Sequence, residues 1–220
     1  PGPRTAIGDL YQRGSLKALF PRRDGAALQA VLVNTAGGVT GGDAFSVQAH
    51  VRDGAALTIT TQAAERAYRA VPGVPGRIEN ALGVAGTGHL NWLPQETIVF
   101  EGCNLERSLT VDLGPDATAL VVEPLIFGRT AMGETLTTAR LSDRVEIRRE
   151  GRPVYLDAIR IGPDIEAQLS RAALGAGARA MASLVLVSPR AEGVLETLRT
   201  MLPETAGASL LAPDILCARI

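Results

Sequence analysis

The sequence predicts a mainly β protein: a layered, β-helix-like (β-solenoid-like) body of many short strands, with about two α-helices in the C-terminal third. Three observations predict it. The 220 residues include 24 Gly and 13 Pro, a density of turn and breaker residues that suits many short strands better than a few long helices. Aromatic residues make up 4% of the chain against 46% hydrophobic, so a sizeable core has to be assembled from Val, Leu, Ile and Ala. Finally, a turn-then-strand segment recurs about every 30 residues, which points to stacked layers that bury their apolar faces against one another.

The recurrence runs through residues 54–62, 88–95 and 117–124. Leu57, Leu90 and Leu120 correspond, at offsets of 33 and then 30 residues; Ile59, Trp92 and Val122 follow two positions later, and Gln62 matches Gln95. Each segment leaves a turn and then alternates apolar with other residues, the period of a strand. Between the layers, residues 45–51 alternate cleanly and end at the turn Asp53-Gly54. Residues 144–161 predict a hairpin, with Val145 and Ile147 on one arm, Glu150-Gly151 as the turn, and Val154, Leu156 and Ile159 returning irregularly.

After this the pattern changes. Residues 164–174 carry Ile165, Leu169 and Leu174 and reach a C-capping Gly175, which predicts a helix. A second helix is predicted over 191–202, with Val194, Leu195, Leu198, Met201 and Leu202 on one stripe and Pro203 as its stop. One further strand, 183–187, lies between them, and Cys217 to Ile220 ends the chain inside another strand pattern. Pro72 to Gly76 is too short a loop to divide domains, so residues 1–220 are read as one domain, trimmed at both ends.

Composition excludes several functions. The net charge is −1, from 22 basic and 23 acidic residues spread along the chain, which gives no nucleic-acid footprint. Apolar runs such as 30–33 and 183–187 are too short to span a bilayer, and Pro1 to Arg4 carries no apolar leader core. Cys103 and Cys217 are too far apart for a zinc-type spacing and read as inert thiols of a reducing compartment.

Four clusters remain. Asn34 to Asp43 holds Gly37, Gly38, Gly41 and Gly42, but it lacks the Lys-Ser/Thr of a phosphate loop and leads into a strand. The glycines therefore read as positions of close backbone contact, in a loop that presents Asp43. Thr60-Thr61-Gln62 ends one strand in polar groups, and Pro94-Gln95-Glu96-Thr97 does so one layer later. Gly128-Arg129-Thr130-Ala131-Met132-Gly133-Glu134 adds an arginine and a carboxylate bracketed by glycines. No nucleophile elbow occurs and Cys103 has no base near it in sequence, so no catalytic residue is assigned. Two distant histidines and two distant cysteines make no site for a borderline metal, and a divalent ion would meet mainly oxygen.

Taken together, these motifs resemble the urease accessory protein UreD (UreH) family. Residues 35–43 resemble its GG-hydrophobic-x-GGD signature, and residues 57–62 with Ala67-Tyr68-Arg69 resemble its TTQ strand end with a nearby Tyr-Arg. Residues 90–98 are similar to its L-x-W-L-P-Q-E-x-I segment, with Trp92, Pro94 and Gln95, and residues 128–134 to its GR-x-x-x-GE motif. The four stand in the family order over residues 4–135.

The resemblance implies an all-β, β-helix-like body and a cytoplasmic, non-enzymatic scaffold of urease maturation. Its partners are apo-urease, the helical accessory protein UreF and, indirectly, the nickel-carrying GTPase UreG. No cofactor is held tightly, and nickel is in transit. Asp43, Glu96 and Glu134, helped by Thr61 and Gln62, are the expected path, with Arg129 orienting a carboxylate through a bidentate pair. The shortage of soft ligands suits transit better than storage, because a conduit must release what it admits. Two other readings stand beside this one: a β-solenoid interaction module with another partner, and a carboxylate-pair hydrolase.

Overall fold

The chain winds into a β-solenoid of about four turns. The computed structural model describes residues 4–22 and 25–220; the opening Pro1 to Pro3, read above for its lack of a leader, lies outside them. Strand β1 (Leu16–Leu19) pairs antiparallel with β2 (Leu28–Asn34) before the winding starts. Sheet A then stacks β2, β4 (Ala56–Thr61), β7 (His89–Leu93) and β10 (Thr118–Phe127) in parallel. Sheet B stacks β3 (Ala44–Val51), β6 (Gly76–Val84), β9 (Asn104–Leu113) and β11 (Arg140–Arg149), also in parallel.

A narrow third side joins A to B in each turn. It runs from Val39 through β5 (Glu65–Ala67) and β8 (Thr97–Val99) to the end of β10. On the opposite corner three tight turns stack. Ala55 N bonds Arg52 O at 3.1 Å, Gly88 N bonds Ala85 O at 2.9 Å, and Ala117 N bonds Gly114 O at 3.3 Å. Asp53 ties the first of these to the second, accepting from Thr87 N (2.7 Å) and Thr87 Oγ1 (2.9 Å). Those bonds hold its carboxyl below the usual range.

The recurrence read from sequence is the stacking itself, with one correction. Leu57 pairs with Leu90 and Ile59 with Trp92, but Leu90 and Trp92 meet Ala119 and Val121, not Leu120 and Val122. A one-residue slip exchanges the two faces of a strand, and it is Ala119 and Val121 that are buried, at 0% and 1% exposure. The stack also reaches back one layer, since Leu28 and Ala30 of β2 pair with Leu57 and Ile59.

The predicted hairpin is β11 with β12 (Arg152–Ile161), turning through Glu150 (φ 50°) and Gly151 (φ 75°), with an irregular step at Ile147 and Arg148. Two positive φ values in a two-residue loop give the turn whose twist matches antiparallel strands. Beyond it, β13 (Ala180–Val187) pairs antiparallel with β10, and β15 (Ile215–Arg219) and β14 (Gly207–Ala212) extend sheet A.

Among the described residues there are two α-helices, and both differ in detail from expectation. Helix α1 is only Ile165–Leu169, capped by the Asp164 carboxylate on Ala167 N. The chain then folds back, with Gly177 N bonding Leu169 O at 2.8 Å, so Gly175 belongs to a turn and Leu174 is exposed. Helix α2 (Ala191–Met201) ends one residue before the expected 202, where Leu202 is already extended, and lies on β14 and β15. Its stripe is only partly covered, because Val194 and Met201 stay exposed. No described helix is long and apolar enough to cross a membrane.

The core divides in two. One apolar cluster, with Leu82, Leu90, Trp92, Leu109, Val121 and Val145, fills the space between the sheets. The other, with Val39, Val99, Leu105, Leu125, Phe127 and Leu141, lies toward the third side. The register makes a measurable claim. Leu90→Ala should lower unfolding free energy by about 2–5 kcal/mol, and Leu120→Ala distinctly less, as read from chemical denaturation. Equal losses would restore the register expected from the recurrence.

Candidate functional site

A polar band crosses the solenoid where the two apolar clusters meet. Along β9 the inward positions run Leu105, Arg107, Leu109; along β11 they run Leu141, Asp143, Val145; along β10 they run Val121, Glu123, Leu125. Each strand alternates as a half-buried strand must, and each places a charge at the middle inward position. The parallel register then sets Asp143 beside Arg107.

Arg107 is the hub. Its Nη2 lies 3.0 Å from Glu123 Oε2 and 2.6 Å from Asp143 Oδ2, with all three side chains under 10% exposed. Its Nε donates to Asp143 Oδ1 at 3.2 Å and its Nη1 to Thr97 Oγ1 at 2.7 Å. Trp92 Nε1 donates to the other Glu123 oxygen, Oε1, at 2.6 Å. Burial pushes the Glu123 carboxyl up against the pull of Arg107, and the neighbouring charge of Asp143 adds to the rise. Arg107 stays charged: burial opposes it, but the two carboxylates raise its pKa above the usual value.

These groups border a cavity of about 300 Å³ between the sheets. Thr61 and Gln62, expected from sequence to line a path, are in its wall, with Gln95 and Pro94 of the next layer. Glu65 is there too, its two oxygens each 3.1 Å from Asn34 Nδ2, and burial raises its pKa. The wall thus offers carboxylate, amide and hydroxyl oxygens. Among the described residues no group of three His, Cys, Asp or Glu side chains is clustered as a metal-binding set.

The expected carboxylates stand outside this lining. Asp43 closes its own turn, accepting from Thr40 N at 2.9 Å. Glu96 offers its main-chain oxygen to Glu65 N at 2.9 Å. Glu134 is clasped by Arg129, whose Nε and Nη2 reach its two oxygens at 3.0 and 2.7 Å, and its Oε1 also accepts from Glu101 N. Glu101 in turn takes Thr137 N and Thr138 N, so the carboxylates of this loop hold main chain in place.

Three of the sequence motifs meet here along the third side. The Arg129 guanidinium stacks 4.3 Å over the Phe100 ring, Phe100 meets Tyr68 edge to face at 5.2 Å, and Tyr68 Oη approaches Gly37 O at 3.4 Å. Gly38 is obligatory in this stack: a Cβ there would fall on the Tyr68 ring and 2.6 Å from Arg66 O. Gly41 likewise faces Val74 O, at 2.5 Å from a would-be Cβ. Gly38 and Gly41 are therefore positions of close packing between neighbouring turns. Cys103 is buried beside these groups, where desolvation pushes its thiol up to about 11. His89 is spent on Thr118 and Asn91.

Sequence reasoning missed Arg107, Asp143, Glu65 and the role of Glu123. The available signal was that each of the first two interrupts an otherwise apolar phase, Leu105, Leu109 and Val111 on β9 and Leu141, Val145 and Ile147 on β11.

Comparison with known proteins adds an independent line. The family model described as UreD urease accessory protein matches residues 1–220. The chain is 54% identical over 219 residues to a protein named urease accessory protein UreD from Ruegeria pomeroyi, covering 100% of this chain and 85% of that one. It is 50% identical to the protein of that name from Roseobacter denitrificans, over 98% of this chain and 79% of the relative. It is 44% identical to urease accessory protein UreD 1 of Brucella abortus, over 94% and 74%.

The Arg129 clasp has a pH signature. Arg129 holds the Glu134 carboxyl down at about 2, below the usual value of about 4.3, so its stabilising contribution is present above the unfolded-state value and fades as pH falls toward 2. Glu134→Gln should therefore melt below the wild type at pH 6, with the gap narrowing through pH 3 and closing only toward pH 2. A gap that does not change with pH would show that the clasp contributes no such linkage.

Proposed function

Because the chain belongs to the UreD family of urease accessory proteins and so serves urease maturation, we propose that it acts as a non-enzymatic scaffold bridging apo-urease to UreF and, through it, to the GTPase UreG. Nickel is the cargo, in transit and not resident. The same reading puts the work in the cytoplasm.

The observation that carries this reading furthest is a cavity inside the stacked body whose part-apolar lining includes carboxylate, amide and hydroxyl oxygens. Layers locked by parallel ladders and tight turns keep a passage open while partners bind outside. A wall of Thr61, Gln62, Glu65 and Gln95 offers hard and neutral oxygen, which holds a borderline divalent ion less firmly than imidazole or thiolate. The buried Cys103 thiol, pushed up to about 11, remains protonated and offers no thiolate. In this proposal the carboxylate part of the route belongs to Glu65, with the Arg107 group beside it. Asp43, Glu96 and Glu134 hold the loops around it.

The hydrolase reading loses its ground in the same place. The buried carboxylates that share the cavity wall, Glu123 and Asp143, both turn onto Arg107, so neither is free to serve as acid or nucleophile.

Co-expression with UreF and apo-urease, followed by pull-down, nickel analysis and urea hydrolysis, tests the proposal. The chain should enter a complex that activates urease, and activation should fail without it. Glu65→Gln should lower nickel incorporation several-fold with the complex intact. A folded chain that captures neither partner would overturn the scaffold, and full activation by Glu65→Gln would remove the cavity from the route.

A further inference from the structure

We propose that Arg107 is a built-in counter-cation: a guanidinium tethered in the place a divalent cation would take between Glu123 and Asp143, so that the cavity passes such an ion without keeping it. This rests on the reading of the cavity as part of a cation's route, and it assigns a specificity-determining residue to that route.

The geometry is that of an occupied cation position. Glu123 Oε2 and Asp143 Oδ2 converge on one nitrogen, Arg107 Nη2, at 3.0 and 2.6 Å. Thr97 Oγ1 faces the same guanidinium at 2.7 Å. Trp92 fixes the outer oxygen of Glu123 at 2.6 Å, the kind of supporting hydrogen bond that orients a ligating carboxylate. Without Arg107, two carboxylates and a hydroxyl would face one small space beside a 300 Å³ cavity. Two carboxylate oxygens on one point, a hydroxyl on the adjoining nitrogen's side and room for water suit a divalent ion.

The tether decides the competition. An attached group acts at an effective concentration far above that of a free ion. Arg is also the cation that does not titrate away, since its guanidinium keeps its proton even when buried. Glu65 is treated differently by the structure. Its oxygens are held by the neutral Asn34 amide and by the main-chain N of Arg66, so it is engaged by neutral donors and remains free to meet a cation. The cavity therefore carries one carboxylate open to a passing ion and two that are already claimed.

Equilibrium dialysis against Ni²⁺ tests the idea on the full chain. The wild type should retain little. Arg107→Met should retain about one Ni²⁺ per chain at least tenfold more tightly, and Arg107→Met/Glu123→Gln/Asp143→Asn should return to the wild-type level. Because removing a buried charge partner can prevent folding, Arg107→Lys is run in parallel; it keeps the charge, loses the fork, and should retain Ni²⁺ to an intermediate degree. A folded Met or Lys variant that binds no better than wild type would overturn the proposal, as would a triple variant that binds like the single Met variant. Urease activation by the wild type, scored separately, distinguishes the two levels. Activation with no gain in the Arg107 variants sinks the counter-cation alone, whereas a gain in binding beside a wild type that conveys no nickel sinks the route.

Discussion

A guanidinium in the middle of a protein has to be answered, and the answer given to Arg107 organises the interior of this solenoid. It sits on sheet B, one of its carboxylates is on the same sheet a layer away, and the other is on sheet A. The cluster therefore ties the two broad sides of the coil across the gap between two apolar clusters. Either partner removed alone would strand a buried charge, which costs more than the intact group contributes. What the group supplies is specificity of arrangement: only the observed register brings the three side chains together, and Trp92 and Thr97 complete it from the same turn as Arg107.

Parallel stacking explains why distant motifs end up side by side. In a coil whose turns repeat, residues about one layer apart in sequence become direct neighbours. Asp53 reaches Thr87, and Gly37 reaches Tyr68. Tyr68, Phe100 and Arg129, each one turn further on, form a single stack. The glycines follow from the same rule. Where adjacent turns approach as closely as Gly38 does Arg66 O, a side chain has no room.

Much of this was readable in advance because alternation is a strong signal when one face is buried. Leu57 and Leu90, and Ile59 with Trp92, gave the layer spacing directly. The third layer misled because Ala119-Leu120-Val121-Val122 is apolar in both phases, so nothing local chooses which face turns inward. Helix α1 was overextended because Leu174 sits at helical spacing from Ile165 and Leu169, yet the chain reverses through Gly175 to Gly177. The charged band was hidden for a different reason. Arg107 and Asp143 each stand beside another charge, Glu106 and Arg144, in strands where charges most often face water, and only the ladder between β9 and β11 shows that they share the inner face. Gln62 and Thr61 are legible from their place at a strand end, whereas Glu65, three residues on, opens the three-residue strand β5, which is too short to show a pattern.

The same alternation governs how such a chain can change length over evolutionary time. The corners at residues 52–55, 85–88 and 114–117 are tight turns at the edge of the coil, where an added residue lengthens a loop and leaves both flanking strands in phase. One residue inserted within β9 between Leu105 and Leu109 would exchange its two faces from that point on, sending Leu109, Val111 and Leu113 to the surface and drawing their polar neighbours inside. Gene variants that add or delete codons should therefore survive at the corners and be lost from the strands, so that the coil drifts in outline while its bore keeps its width.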